Sequence, residues 1–303
     1  MMCLRKIFKY ISNIEYRIRV NSKLGFYDNL EDIEFIKLLF KASMGYKLPL
    51  ENPKTFNEKL QWLKLYDRKP EYTIMVDKYK VRDYISKKIG GDYLIPLIDV
   101  WDDPDEIDFN LLPNQFVLKC NHNSGGVFIC KNKNNFDIVK VKKELKKELK
   151  RDYYLSGREW PYKDVPRKII CEKYMVDESG YELKDYKIFC FNGEPKFIQM
   201  DYDRFSNHRR KFYDSNWNQI DFKFIYDSDN TNFQIPKNLN KMLELSRILS
   251  RDVTFLRTDF YIIKNKIYFG ELTFYPESGF GKFTPKNWDG LLGDLINLPT
   301  DLS

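Results

Sequence analysis

Residues 257–281 read RTDFYIIKNKIYFGELTFYPESGFG. Alternating apolar positions predict one β-strand over Phe255–Ile263 and a second over Ile267–Tyr275. The intervening Lys264–Lys266 is short enough for a hairpin with a three-residue turn. The stretch therefore predicts a β-hairpin near the end of the sequence.

This register brings two carboxylates together. With a three-residue turn, Asp259 lies opposite Glu271, and Arg257 lies opposite Thr273. Directly opposed side chains lie about 5 Å apart at Cβ, and like charges there are destabilising. We expect a divalent cation with oxygen ligands to offset this repulsion. Magnesium, which usually brings phosphates with it, is the natural candidate.

The composition predicts a folded protein with an anionic partner. The chain has 303 residues, of which 43% are hydrophobic and 16% aromatic, so it can bury a core in one large or two to three small domains. Its net charge of +7 and pI near 8.9 suit a nucleotide, a phosphorylated sugar or a membrane surface. Acidic residues are interspersed among the basic ones, so we predict no nucleic-acid partner.

Cysteine and histidine usage argues against a disulfide framework and against a histidine-rich metal site. The chain has five cysteines without a CxxC pair, and two histidines. We expect buried, reduced thiols in a cytoplasmic protein. The residues are Cys3, Cys120, Cys130, Cys171, Cys190, His122 and His208.

The first twenty residues carry charges throughout and lack a small-residue cleavage site, so they do not resemble a secretory signal. We expect a helix packed on its own domain. A basic amphipathic helix that touches the inner face of the membrane is the alternative. No stretch approaches about 20 apolar residues, so we predict no transmembrane helix.

Helical patterns dominate the first part of the chain. Apolar spacing predicts a helix over 30–44 that stops at Gly45. A second helix follows Thr55, which forms a capping-box pattern with Glu58. A third is predicted over 73–90, and a highly charged, solvated helix over 138–155.

Strand patterns dominate the second half. Strands are predicted over 167–175, 184–193 and 194–203, with Asn192–Gly193 as a hairpin turn. Together with the helices, these strands predict an α+β fold.

Several polar residues outside the hairpin suit nucleotide chemistry. Lys119 ends a strand and precedes a loop with Ser124, Gly125 and Gly126, whose N–H groups can approach phosphate oxygens closely. Glu172 follows an apolar run and can reach ribose hydroxyls. Each feature also fits an ordinary strand or hairpin with an exposed side chain.

Two further lysines have equally ordinary explanations when taken alone. Lys78 fits a surface lysine on the predicted helix over 73–90. Asp185 and Lys187 alternate onto one strand face, which is typical of a solvated face.

In this order and spacing the segments resemble the ATP-grasp superfamily, and within it the TupA-like ATP-grasp proteins linked to bacterial surface polysaccharides. The resemblance extends from about residue 25 to about residue 295. It is carried by NPKTFNEKLQWLKLY (52–66), DKYKVRDYI (77–85), FVLKCNHNSGG (116–126), CEKYM (171–175), DYKIFCFNG (185–193), RTDFY (257–261) and FGELTFYPESG (269–279).

The resemblance implies an α+β ATP-grasp fold in four parts. These are a helical N-terminal region over 1–70, an α/β segment over 71–113, a small lid subdomain over 114–176 and a β-rich catalytic subdomain over 177–303.

It also implies how ATP is held. Lys78 and Lys119 would grip the phosphates, and the loop of Ser124, Gly125 and Gly126 would close over them. Glu172, with the backbone of Lys173 and Tyr174, would hold adenine and ribose.

The hairpin would carry the reaction itself. Asp259 and Glu271 would bind magnesium, and Arg257 would neutralise charge on an acyl phosphate or tetrahedral intermediate. Lys187 would contact phosphate or substrate. Many ATP-grasp ligases have asparagine where this chain has Thr273, whose hydroxyl can still coordinate magnesium.

The loop after the hairpin departs from the family pattern. The usual proline–glycine pair is stretched here to Pro276–Gly279. This puts the geometry of the acceptor loop in question.

The implied function is an ATP- and magnesium-dependent carboxylate–amine ligase in capsule or surface-glycan synthesis. It would join an amino acid or amine to a uronic-acid-type carboxylate on a sugar or glycan. Alternatives are an ATP-dependent phosphotransferase on the same fold, a non-catalytic scaffold, and a glycosyltransferase, for which Asp201–Asp203 has the DxD spacing of a metal motif.

Overall fold

The computed structural model describes residues 2–180, 183–204 and 206–300, with the backbone alone for residues 2–4. Its helices are α1 (Met2–Ser12), α2 (Ile14–Lys23), α3 (Asp32–Met44), α4 (Phe56–Tyr66), α5 (Pro70–Val76), α6 (Val81–Lys88), α7 (Ile138–Lys150), α8 (Tyr154–Gly157), α9 (Leu239–Ser250) and α10 (Asn287–Asp294). Its strands are β1 (Leu97–Trp101), β2 (Phe116–Cys120), β3 (Val127–Cys130), β4 (Ile169–Lys173), β5 (Asp185–Phe191), β6 (Glu194–Tyr202), β7 (Arg209–Asp214), β8 (Gln219–Ile220), β9 (Lys223–Phe224), β10 (Phe255–Ile263), β11 (Lys266–Thr273) and β12 (Phe283–Thr284).

Two antiparallel sheets, of four and six strands, organise most of these elements, and β9 and β12 pair with each other outside them. The smaller sheet has the order β1–β4–β2–β3, and the larger has the order β11–β10–β5–β6–β7–β8. A core under the smaller sheet includes Val141 and Leu145 of α7. The main core surrounds the larger sheet and takes in side chains of α4, α5, α6, α9 and α10. The mixed composition confirms the predicted α+β class.

The predicted hairpin forms, but its turn is shorter than expected. Ile263 pairs with Lys266, so only Lys264 and Asn265 lie in the turn. Both have left-handed backbones, with φ of 49° and 60°. Two such residues form the turn whose twist suits a two-residue hairpin. The expected three-residue turn is therefore wrong.

A bulge at Gly270 restores the predicted pairing. Phe260 pairs with Phe269, whereas Asp259 pairs with Glu271. A side chain at Gly270 would place its Cβ 3.0 Å from the carbonyl oxygen of Asp259, so the bulge needs glycine. The predicted opposition of Asp259 and Glu271 is thus correct, although the expected turn was not.

The predicted helix caps and the predicted Asn192–Gly193 turn are confirmed. Helix α3 ends at Gly45, which has φ of 87°. The N–H of Glu58 donates to Thr55 Oγ1 at 3.3 Å, and the N–H of Thr55 donates to Glu58 Oε2 at 2.9 Å. Asn192 and Gly193 form the expected turn between β5 and β6.

The single helix predicted over 73–90 is wrong, because the chain breaks between α5 and α6. Asp77 Oδ1 accepts hydrogen bonds from the N–H groups of Tyr79 and Lys80 at 2.8 and 3.2 Å. A short acidic side chain that binds the next amides competes with helical hydrogen bonding. Lys78 therefore lies in a turn.

The cysteine prediction is confirmed where it can be judged. Cys120, Cys130, Cys171 and Cys190 are buried and free. The side chain of Cys3 lies outside the described residues.

The N-terminal helix does not pack as expected. From Arg5 to Ser12 every residue is exposed except Tyr10, which is half-buried. In the described part of the chain no helix has the length and apolar character of a membrane span.

Candidate active site

A cleft of about 990 Å³ is lined by residues of both sheets and of the turn between α5 and α6. Its lining includes most of the residues selected from the sequence, namely Lys78, Lys119, Ser124, Gly125, Glu172, Lys173, Tyr174, Lys187 and Glu271. Apolar side chains such as Val117, Ile129 and Leu183 line the same cleft. Such a mixture of apolar walls and a few charged groups is typical of a nucleotide-sized ligand site.

Lys78 is fixed by the turn that interrupts the helix. Its ammonium donates to the carbonyl of Asn123, and its N–H donates to the carbonyl of Asn121 at 3.2 Å. Burial lowers the pKa of Lys78 to about 8, with Glu271 opposing this shift and Lys119 adding to it. The positive charge of Lys78 is therefore sensitive to pH just above neutrality.

Asn121, which the sequence analysis did not select, ties this region together. Its Nδ2 donates to Asp77 Oδ1 and to the carbonyl of Pro166, both at 2.8 Å. Its Oδ1 accepts from the N–H of Lys168 at 2.7 Å. One buried amide thus joins the turn of Lys78, the end of β2 and the start of β4. Its place in the FVLKCNHNSGG segment was the available signal.

Lys119 and Glu172 form an ion pair across the smaller sheet. Lys119 Nζ lies 2.6 Å from Glu172 Oε2, and Arg82 Nη1 lies 3.4 Å from Glu172 Oε1. Arg82 was not selected from the sequence, although it belongs to the DKYKVRDYI segment. The N–H of Lys173 donates to the carbonyl of Pro96 at 3.0 Å, so this amide is already used within the protein.

The loop of Ser124–Gly126 reaches the cleft in part. Ser124 and Gly125 line it and are exposed. Gly126 is not among the lining residues, and a Cβ there would lie 3.1 Å from the side chain of Glu148.

The hairpin carboxylates are held by two protein cations. Arg257 Nε and Nη2 donate to the two oxygens of Asp259, both at 2.7 Å. Lys187 Nζ donates to Asp259 Oδ2 at 2.7 Å. Arg257 Nη2 also reaches Glu271 Oε1 at 3.0 Å and Thr273 Oγ1 at 3.1 Å. These two cations therefore offset part of the carboxylate repulsion within the protein, and the expectation of a magnesium ion here stays a prediction.

Glu271 remains the carboxylate most open to a ligand. Its side chain is 44% exposed, whereas that of Asp259 is 1% exposed. Burial raises the pKa of Glu271, but Lys187 and Arg257 outweigh it and lower the pKa to about 2. Glu271 is therefore ionised across the physiological range.

These donors fit a magnesium ion that is shared with phosphate oxygens. Glu271 offers the cleft an ionised carboxylate, and Asp259 and Thr273 lie in the same hydrogen-bonded group. Among the described residues, no cluster of three or more His, Cys, Asp or Glu could hold a metal alone. Magnesium commonly takes one or two carboxylates and completes its shell with phosphates and water.

Buried polar side chains of α4 hold the loop that follows β11. Gln61 Nε2 donates to the carbonyl of Gly279 at 2.7 Å, and Asn57 Nδ2 donates to that of Gly281 at 2.8 Å. Lys64 Nζ donates to the carbonyl of Ser278 at 2.8 Å. These contacts explain why a polar pattern recurs along a buried helix, and they fix the loop whose sequence departs from the family pattern.

The DxD-spaced pair has no metal-site geometry. Asp201 is 2% exposed, and both its oxygens accept from Arg210 at 2.7 and 3.1 Å. Asp203 lies beyond the end of β6, with φ of 53°.

A family model described as TupA-like ATPgrasp matches residues 58–297. The chain belongs to the TupA-like ATP-grasp family. This match confirms the predicted family, and with it the ATP-grasp fold class.

Solved structures similar to this chain include D-alanine–D-alanine ligase from Bacillus anthracis, at 18% identity over 74% of this chain and 66% of that one, with a TM-score of 0.42. Phosphoribosylamine–glycine ligase from Thermotoga maritima is similar at 14% identity over 69% of this chain and 50% of that one, with a TM-score of 0.42. The chain thus spans less than two thirds of either protein. No functionally curated protein matches it significantly.

Proposed function

We propose that this TupA-like ATP-grasp protein is an ATP- and magnesium-dependent carboxylate–amine ligase of the bacterial cytoplasm. It activates a carboxylate as an acyl phosphate, which an amine or amino acid then attacks. We further propose that the carboxylate belongs to a uronic-acid-type sugar or glycan, in capsule or surface-polysaccharide synthesis. This finer assignment is supported by the family resemblance.

The observation that carries the proposal is the convergence of cations and carboxylates on one cleft. This cleft is lined by Lys78, Lys119, Lys187 and Glu271. Arg257 Nη2 donates a hydrogen bond to Glu271. Phosphoryl transfer depends on positioning and charge neutralisation more than on covalent chemistry. The cleft supplies both without a Ser–His–Asp arrangement.

In this proposal, different residues of the cleft bind the phosphates, the nucleoside and magnesium. Lys78 and Lys119 bind the ATP phosphates, and Glu172 with the following backbone orients the nucleoside. Because Glu172 already accepts from Lys119, it also orients that lysine. Glu271 and Asp259, with help from Thr273, would hold magnesium, which would supply charge neutralisation for the phosphates.

Arg257 and Lys187 act at the reacting end. In the structure they bind Asp259; burial raises the pKa of this carboxyl group, and the charges of Arg257 and Lys187 oppose that shift. When phosphates enter, the same two cations can share their hydrogen bonds with phosphate oxygens and with the charge that develops on the acceptor. The loop of Pro276–Gly279, fixed by α4, follows the strand that carries Glu271 and Thr273.

The test is to incubate the full chain with ATP, magnesium, uronate sugars and a panel of amino acids, and to follow ADP release and product mass. We expect ADP release that depends on both the sugar and the amine, together with a product of amide mass. A stable phosphorylated sugar formed without any amine would instead establish a phosphotransferase. Preferential binding of a nucleotide sugar over ATP would favour a glycosyltransferase.

A further inference from the structure

Helix α1 exposes an apolar stripe to solvent. The exposed fractions of Ile7, Phe8 and Ile11 are 51%, 72% and 67%. Their spacing places all three on one side of the helix. A folded domain ordinarily turns such a stripe toward its core, so its exposure calls for a partner that covers it.

Basic side chains occupy the other side of the same helix. Arg5, Lys6 and Lys9 are all exposed, and the helical step of about 100° per residue places them opposite the apolar stripe. Helix α1 therefore presents hydrocarbon on one side and positive charge on the other.

Residues 1–26, the segment around α1, account for most of the net positive charge of the protein. Residues 1–26 contain six basic residues and one acidic residue, Glu15, which is paired with Arg19 at 2.9 Å. The other 277 residues contain 45 basic and 43 acidic residues. The net positive charge is thus concentrated where the apolar stripe is exposed.

The following helix anchors α1 to the folded protein. In α2, Ile18 is 3% exposed, and Ser22 Oγ donates to the carbonyl of Leu155 at 3.2 Å. Tyr10 of α1 donates to Asn21 Oδ1 at 2.7 Å. Helix α2 therefore packs on the folded protein and holds α1 at its surface.

We propose that α1 binds the surface of an anionic lipid bilayer. A bilayer offers an apolar phase for Ile7, Phe8 and Ile11 and negative headgroups for the basic residues. A helix is about 10 Å wide, comparable to the Debye length in physiological salt, so the basic side still feels the headgroup charge. A nucleic acid would offer the charge without the apolar phase. This surface is separate from the catalytic cleft and does not depend on the proposed reaction.

Vesicle sedimentation with the full chain tests this. The vesicles are pure phosphatidylcholine, or phosphatidylcholine with one third phosphatidylglycerol. We expect wild type to bind the anionic vesicles. Added salt should weaken this binding, and binding to the neutral vesicles should be weaker. Replacing the stripe with Ile7→Ser and Phe8→Ser should lower the partition coefficient by about tenfold or more. Lys6→Ser with Lys9→Ser should weaken binding to anionic vesicles only.

The matched control is Leu111→Ser with Val139→Ser, since these side chains are 83% and 81% exposed on another part of the molecule. It should bind vesicles as wild type does, and all variants should keep the wild-type melting temperature because the altered residues lie outside the core. Three results would overturn the proposal. They are no binding by wild type, equal binding by the stripe variant, and a wild-type dimer that the stripe variant converts to a monomer.

Discussion

At the scale of single residues, Lys78 is the group through which we expect the pH of the solution to affect nucleotide binding. Its pKa of about 8 in the free protein means that the ammonium loses its proton as the pH rises through that value. We predict that ATP affinity falls from about pH 7 to about pH 9, because only the protonated amine binds phosphate strongly. Calorimetric titration at a series of pH values measures this.

Arginine at the same position provides the control for Lys78. Lys78→Arg stays charged throughout that range, so its ATP affinity should not fall as the pH rises. Lys78→Met should bind ATP about tenfold to a hundredfold more weakly than wild type near neutral pH. Parallel pH profiles of wild type and Lys78→Arg would show that another group titrates.

We expect substitutions at the two hairpin carboxylates to differ: one should lower the stability of the fold, and the other should weaken magnesium-dependent ATP binding. Asp259 is 1% exposed and is the nearest counter-charge of both Arg257 and Lys187, so Asp259→Asn leaves these buried cations with fewer carboxylate partners. We predict a loss of about 3 kcal/mol or more in the free energy of unfolding. Glu271→Gln should cost under about 1 kcal/mol, because Glu271 is 44% exposed.

Urea unfolding and magnesium-dependent ATP binding, measured on both variants, check this contrast. Glu271→Gln should remain folded and lose most of the magnesium dependence of ATP binding. The account is wrong if Glu271→Gln unfolds more readily than Asp259→Asn, or if it binds ATP with unchanged magnesium dependence.

At the scale of elements, the bulge at Gly270 sets the register that pairs the carboxylates. A Cβ at this position would meet the carbonyl oxygen of Asp259 at 3.0 Å and the ring of Tyr261 at 3.2 Å. We predict that Gly270→Ala destabilises the protein by about 1–3 kcal/mol. Gly290→Ala is the matched control, since α10 leaves open space there, and it should stabilise by about 0.5–1 kcal/mol. Thermal unfolding compares the two; equal effects would mean that the bulge does not need glycine.

The same elements show how far sequence patterns reach. Alternation located β10, and the capping box located the start of α4, because both depend on neighbouring residues. The interruption of the helix at Lys78 was not predicted, because it depends partly on Asn121, which is distant in sequence. The pairing of Asp259 with Glu271 came out correctly because the shorter turn and the bulge offset each other.

At the scale of the whole molecule, the cleft depends on contacts that no local pattern encodes. Strand β4 joins β1 to β2 in the smaller sheet, and β5 joins β10 to β6 in the larger one. The motif lysines were found from the family resemblance. Arg82 and Asn121 were missed because their roles appear only when distant segments meet.

Contacts between α4 and the loop after β11 join segments that are distant in sequence. Helix α4, from the first quarter of the chain, holds the loop after β11 near its end. The polar pattern of the NPKTFNEKLQWLKLY segment therefore supports the loop that follows the strand of Glu271 and Thr273.

We propose above all that this cleft binds ATP through its lysines, together with magnesium held by its carboxylates. The most direct measurement is calorimetric titration of ATP into the full chain, with and without magnesium, for wild type, Lys119→Met and the surface control Lys282→Met. We predict magnesium-dependent binding by wild type and by Lys282→Met, and binding at least about tenfold weaker in Lys119→Met. Absence of ATP binding in wild type, or equal affinity in Lys119→Met, would contradict the account.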